Sequence, residues 1–205
     1  MAGPRLSRLL VATTNAGKLD EIRAILALSP VELVSLTDLP PIAEPEETGQ
    51  TFRDNARLKA RHYAAHSGLA TVAEDSGLVI DALGGDPGVR SARFLHPESP
   101  YPDRFAEIAR RLAERPDAPR TARFVCALAV AKDGDLLFET TGTIAGVIAT
   151  APAGVNGFGY DPIFCYPPLG ATLGEVSQSA KLQVAHRGQA FRALARWLAG
   201  SHEPS

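Results

Sequence analysis

The chain has 205 residues, 45% of them hydrophobic and 21% charged, an ordinary globular composition with enough apolar side chain for a full core. Its formal net charge of -2 leaves no basic field over the whole chain, so bulk nucleic-acid binding is not expected and any anion site must be local. No apolar stretch is long enough to span a bilayer, and residues 1–8 lack the long apolar run of a secretory leader, so neither a membrane partner nor export is expected. Two cysteines, Cys126 and Cys165, make no disulfide framework and have no partners at metal spacing, which fits a reducing, cytoplasmic setting.

Residues 6–13 read as a short buried strand, and 16–28 as a helix with Leu19, Ile22, Ile25 and Leu26 on one face. Thr13-Thr14-Asn15-Ala16-Gly17-Lys18 joins them. Asn15 is positioned to cap the helix, which leaves Lys18 in a first turn whose free N–H groups and partial positive charge attract phosphate. The spaced glycines and Lys-Ser/Thr pair of a P-loop are missing, and alone the segment also fits a plain capped helix with a solvated lysine.

A second strand over 31–36 leads into a Pro- and Glu-rich loop over 39–49 and then a helix over about 52–66, with Thr51 and Asp54 at capping-box spacing. Asn55 and Lys59 lie four apart and share a helix face with Phe52 and Ala56, and Glu47 stands just before the helix, where it can reach inward. Residues 69–73 read as a strand that delivers Glu74-Asp75-Ser76-Gly77 to the C-terminal edge of the sheet, where α/β proteins bind ligands. Adjacent strand side chains face opposite ways, so Glu74 and Asp75 are expected to do different jobs. Magnesium takes one or two carboxylates and completes its shell with waters and substrate phosphates, so Asp75 with Glu47 would suffice. The same residue types also make ordinary turns.

Residues 83–88 are turn-rich, and 102–112 read as a helix. Residues 120–131 and 136–148 read as long strands joined at Lys132-Asp133-Gly134-Asp135, a hairpin signal, with Cys126 as a buried thiol in the first. Residues 151–170 are Gly/Pro-rich and irregular, and carry Gly157-Phe158-Gly159-Tyr160-Asp161-Pro162. Glycines around an aromatic let the backbone approach a flat ligand; Phe158 could stack on a base, worth about 1–3 kcal/mol, or simply cover the core. Lys181, with His186-Arg187-Gly188 ahead of a last helix over about 187–198, supplies donors suited to phosphate or a base carbonyl. His62, His66 and His96 read as surface residues. This order of strands and helices indicates an α/β protein with a mixed sheet, one domain over 1–205.

Together these segments resemble the inosine triphosphate pyrophosphatase family, the non-canonical purine NTP pyrophosphatases, over nearly the whole chain. The matching strings are Thr13 to Lys18, Glu46-Glu47-Thr48-Gly49, Phe52 with Asn55-Ala56 and Lys59-Ala60-Arg61, Asp75-Ser76-Gly77-Leu78, Gly84-Gly85-Asp86-Pro87-Gly88 with Ser91-Ala92-Arg93, the segment from Gly157 to Pro162, and His186-Arg187-Gly188. Each is weak alone; in this order they are specific. The resemblance implies an elongated mixed sheet flanked by helices, with two lobes and a central nucleotide cleft of the ITPase/Maf-like kind, in a homodimer. It implies hydrolysis of ITP, dITP and XTP to the monophosphate and pyrophosphate, which cleanses the nucleotide pool.

Carried over residue by residue, Asn15 and Lys18, with Thr13, Thr14, Ala16 and Gly17 around them, would hold phosphates. Glu47 and Asp75 would sit at Mg2+, with Asp75 also the general base, and Lys59 would neutralise phosphate charge. Ser76 would contact the nucleotide. Phe158 would stack on the base beside Gly159, Tyr160 and Asp161, and Lys181, His186 and Arg187 would complete recognition. Three positions depart from the family pattern: Glu74 stands where an aspartate is usual, Thr14 where Gly or Ser is frequent, and Ala185 where a serine would cap the last helix.

Overall fold

The computed structural model describes residues 6–200. A mixed seven-stranded sheet is flanked by helices. Strand β1 (Arg8–Val11) lies between β2 (Glu32–Ser35) and β3 (Thr71–Ile80), parallel to both, with Leu9 opposite Leu33 and Leu10 opposite Thr71. The order continues through β4 (Thr121–Lys132), β5 (Asp135–Ile148), β6 (Phe164–Tyr166) and β7 (Ala171–Thr172), and the β5–β6 and β6–β7 pairs are antiparallel. The helices are α1 (Ala16–Leu26), α2 (Phe52–Ser67), α3 (Tyr101–Ala113), α4 (Gln178–Val184) and α5 (His186–Gly200).

The local signals act as expected. Asn15 Oδ1 accepts the Lys18 N–H at 3.0 Å and starts α1, and Thr51 Oγ1 accepts the Asp54 N–H at 3.1 Å and starts α2. The β4–β5 hairpin turns on Asp133 and Gly134, both at positive φ (52° and 89°), the backbone a two-residue turn needs to match strand twist.

Three expectations are corrected. The strand ending at residue 73 runs on to Ile80, so Glu74, Asp75, Ser76 and Gly77 lie inside β3 and not past its end. The acids read as a strand terminus, but side chains remote in sequence neutralise them and the strand continues. The irregular stretch over 151–170 contains β6 and single 3-10 turns at Asp161–Ile163 and Pro167–Leu169. A separate helix, α4, precedes the last one; Ser177 Oγ caps it by accepting the Ala180 N–H, and Ala185 takes an extended conformation between the two helices.

The chain divides into two compact units. Unit 1 takes in residues up to Asp75, Cys126–Gly142 and residues from His186 on; unit 2 takes in Ser76–Val125 and Thr143–Ala185. Unit 1 has a core on each side of its strands. Leu9, Val11, Val72, Cys126, Leu128 and Val130 pack with Ile22 and Leu26 of α1 and Phe191, Leu194 and Leu198 of α5. Leu10, Ala12, Ala73, Ala127, Ala129 and Ala131 pack with Ala56, Ala60, Tyr63 and Ala64 of α2. This is the period-2 alternation of strands covered on both faces, and the small residues let α2 lie close. Parity then assigns the acids: Glu74 shares the face of Val72, toward α1 and α5, and Asp75 the face of Ala73, toward α2. The core of unit 2 gathers Leu78, Ile80, Ile108, Leu112, Phe124, Ile144, Phe164 and Leu173.

Candidate active site

On the α2 face of unit 1, Lys59 is buried and its ammonium lies 2.6 Å from Glu47 Oε1 and 3.4 Å from Asp75 Oδ1. Both carboxylates touch one nitrogen, so their oxygens are no further apart than those two distances together. Asn55, fully buried, donates from Nδ2 to Asp75 Oδ2 at 3.0 Å and accepts the Gly49 N–H on Oδ1 at 2.8 Å. One amide thus ties the loop carrying Glu47 to the strand carrying Asp75. Gly49 allows this approach, since a Cβ there would press on Asn55 Oδ1 and the Asp54 side chain. Burial raises the Asp75 carboxyl above its ordinary value, with Lys59 and Asn55 pulling the other way. Lys59 is raised, the attraction of Asp75 and Glu47 outweighing its own burial.

On the opposite face, Lys18 Nζ lies 2.7 Å from Glu74 Oε1. The same oxygen is 3.3 Å from Arg187 NH2, while Cys126 Sγ–H donates to Glu74 Oε2 at 3.1 Å. Arg187 NH1 reaches Glu21 Oε2 at 2.6 Å. Glu74 and Arg187 are buried, and the positive charges of Arg187 and Lys18 outweigh burial to hold the Glu74 carboxyl well below its usual range. Burial and the Glu74 charge push the Cys126 thiol well up, so it keeps its proton and donates. His186 is buried at the start of α5, where Gly142 packs so closely that a Cβ would strike the His186 carbonyl.

Unit 2 holds its own cluster. Asp161 Oδ2 accepts from Lys181 Nζ at 2.7 Å and from the Phe158 N–H at 2.8 Å, and the Lys181 ammonium sits 4.4 Å from the centre of the half-buried Phe158 ring. Gly157 has φ 72°, and a Cβ there would collide with the Asp161 carboxylate. Residues 9–197 match the model of the Ham1 family. The chain belongs to the Ham1 family. It is 44% identical over 187 residues to a dITP/XTP pyrophosphatase of Exiguobacterium sibiricum, covering 91% of this chain and 94% of that one. Its fold is similar to that of a HAM1 protein from Coxiella burnetii, with TM-score 0.86, 36% identity and coverage of 94% and 98%. It is also similar to a nucleoside-triphosphatase / dITP/XTP pyrophosphatase from Mycobacterium abscessus, with TM-score 0.74, 45% identity and coverage of 91% and 98%.

Within this Ham1 chain the expected site residues fall into three groups. Glu47, Lys59 and Asp75 meet on one face of unit 1. Lys18, Arg187 and Glu74 meet on the other, beside the Thr13-Thr14-Asn15-Ala16-Gly17 turn, where Thr13 Oγ1 accepts the Asn15 N–H at 3.2 Å. Phe158, Gly159, Tyr160, Asp161 and Lys181 lie in unit 2 together with the half-buried Ser76, so Lys181 does not share a unit with His186 and Arg187. Sequence reasoning missed Glu21 and Arg104. Glu21 is a fully buried acid on a short amphipathic helix, and its neighbours in sequence give no reason for its burial. Arg104 is the fourth residue of α3, a helix that also carries Arg110 and Arg111, and nothing in the sequence distinguishes it from them.

Proposed function

We infer that this chain hydrolyses non-canonical purine nucleoside triphosphates (ITP, dITP and XTP) to the monophosphate and pyrophosphate. The observation that carries the reading is the meeting of Glu47, Asp75 and Lys59 around one amide, within a chain so similar to dITP/XTP pyrophosphatases. Hard carboxylate oxygens brought this close suit a divalent ion, and the ammonium between them marks a locus where positive charge is stabilised. Glu47 and Asp75 would hold Mg2+, which when bound offsets charge on the phosphates and on the leaving pyrophosphate.

The remaining steps belong to the chain's own groups. Lys59, released from its carboxylates, would bind phosphate oxygens beside Asp75 and orient the α phosphorus for attack, while Lys18, on the opposite face at the N-terminus of α1, would hold phosphate at that helix end. Asp75 takes the proton of the attacking water. Asn55, donating to Asp75 Oδ2, holds its orientation. Glu74 holds Lys18, and Arg187 with Cys126 holds Glu74. The longer side chain of a glutamate at position 74 therefore serves the lysine rather than the metal pair. Phe158 would stack on the base. A base site carrying hydrogen-bond donors would accept the C6 oxygen of hypoxanthine or xanthine and would leave those donors unpaired against the amino group of adenine. The same proposal includes a homodimer in the cytoplasm.

Pyrophosphate release across ITP, XTP, GTP and ATP, with and without Mg2+, tests the reading. We expect ITP and XTP to exceed ATP in kcat/KM by about 10-fold or more, the equivalent of one unpaired buried donor. A preference for ATP would overturn the base assignment, and full activity in chelator would overturn the metal assignment.

A further inference from the structure

Arg104 of α3 is buried in unit 2, and all five of its N–H groups go to main-chain carbonyls. Nε donates to Ser99 O at 3.0 Å, NH1 to Ser91 O and Ala92 O at 3.0 and 2.9 Å, and NH2 to His96 O and Pro97 O at 3.3 and 3.0 Å. A guanidinium is suited to this, with five donors in a rigid plane; an ammonium has three and no fixed fork. One of those carbonyls is shared, since Tyr160 Oη–H donates to Ser91 O at 2.9 Å. The Tyr160 ring is boxed by α3, edge-on to Tyr101 at 5.3 Å and 6.2 Å from Phe105, and the Arg104 guanidinium lies 4.8 Å from the Tyr101 ring. The next residue in the chain, Asp161, fixes the Phe158 amide and the Lys181 ammonium.

We propose that Arg104 is a positioning residue for base recognition: it sets the main chain from Ser91 to Ser99, and through the shared Ser91 carbonyl and Tyr160 it fixes the loop that presents Phe158. The inference rests on the reading of Phe158 as the base-stacking group. Its logic is preorganisation. A loop that visits its binding-competent form only part of the time weakens apparent affinity by that fraction, without touching the reacting atoms. The perturbation therefore belongs in KM and in the choice of base, not in kcat.

The test is steady-state kinetics with ITP and ATP on Arg104→Lys, Tyr160→Phe and Phe158→Ala, with thermal melting alongside. Arg104→Lys is expected to raise KM for ITP about 10-fold and Tyr160→Phe about 3-fold, with kcat within about 2-fold and a smaller ITP-over-ATP preference in both. Should Arg104→Lys fail to fold, Arg104→Gln, which keeps an amide donor at the same place, decides in its stead. Lower melting temperatures with KM and base preference unmoved would make Arg104 a purely structural residue and overturn the proposal. If Phe158→Ala raises KM while neither of the other variants does, the positioning claim falls and the base reading stands. If Phe158→Ala leaves KM unchanged, the base reading falls and takes the proposal with it.

Discussion

Replacing Glu21 by glutamine removes one charge from the buried cluster of unit 1 at almost constant shape. In the native protein Arg187 and Glu21 side chains are 3% and 1% exposed and 2.6 Å apart, so neither has water to fall back on. Removing one partner of such a pair costs about 3–5 kcal/mol, because it strands the other charge. Here Glu74 remains 3.3 Å from Arg187, sharing its oxygen with Lys18, which places the expected loss for Glu21→Gln near the lower end, at about 3 kcal/mol. Arg187→Met takes the guanidinium from both Glu21 and Glu74, and should lose about 4 kcal/mol. The double variant leaves Glu74 with Lys18 and Cys126 and no stranded arginine, so its loss should fall short of the sum by about 2 kcal/mol. Urea unfolding followed by Trp197 fluorescence reads this directly, since Trp197 is the sole tryptophan, lies on α5 and stacks on Phe138 at 5.2 Å within unit 1. Losses that add to within about 0.5 kcal/mol would refute the coupled cluster.

Two further outcomes follow from burial. Burial pushes the Tyr160 hydroxyl up to about 12 from 10.0, so the unfolded chain releases this proton first and stability, intact below pH 10, falls as pH rises toward 12. The difference amounts to about 3 kcal/mol; comparing alkaline unfolding of the native chain and Tyr160→Phe over pH 9–12 should show a shallower fall in the variant, and equal slopes would contradict it. With a thiol reagent at neutral pH, the half-buried Cys165 should react while Cys126 waits for unfolding, and two fast thiols would show that Cys126 is not enclosed against Glu74.

What the sequence made legible was local. Asn15, Thr51 and the Asp133-Gly134 turn act within a few residues of themselves, so their chemistry fixes helix starts and a hairpin without reference to the rest of the fold. The parity of Glu74 and Asp75 was legible for the same reason. That β3 continues through both acids was not. Its continuation depends on Lys18, Lys59 and Arg187, and Arg187 is 113 positions from Glu74 in the chain. Strands β6 and β7 have three and two residues, too few for a period to show. Helix α4 carries Gln-Ser-Ala-Lys-Leu-Gln-Val, with only its Ser177 cap to announce it. Of the candidate site, the family resemblance supplied the residues expected there and none of their pairings. The sharing of one ammonium by Glu47 and Asp75 and the support from Glu21 and Arg104 emerge only when remote segments meet.

Turnover of ITP by the native chain and by Asp75→Asn, with products resolved and ITP binding measured in parallel, bears most directly on the central claim. The proposed activity yields inosine monophosphate and pyrophosphate from the native chain. A fall of about 10³-fold or more in kcat is expected for the variant, within the range for loss of a positioned base, with weaker Mg2+-dependent binding of ITP and the fold retained. Near-native kcat in Asp75→Asn, or release of the diphosphate and inorganic phosphate instead, would contradict the claim.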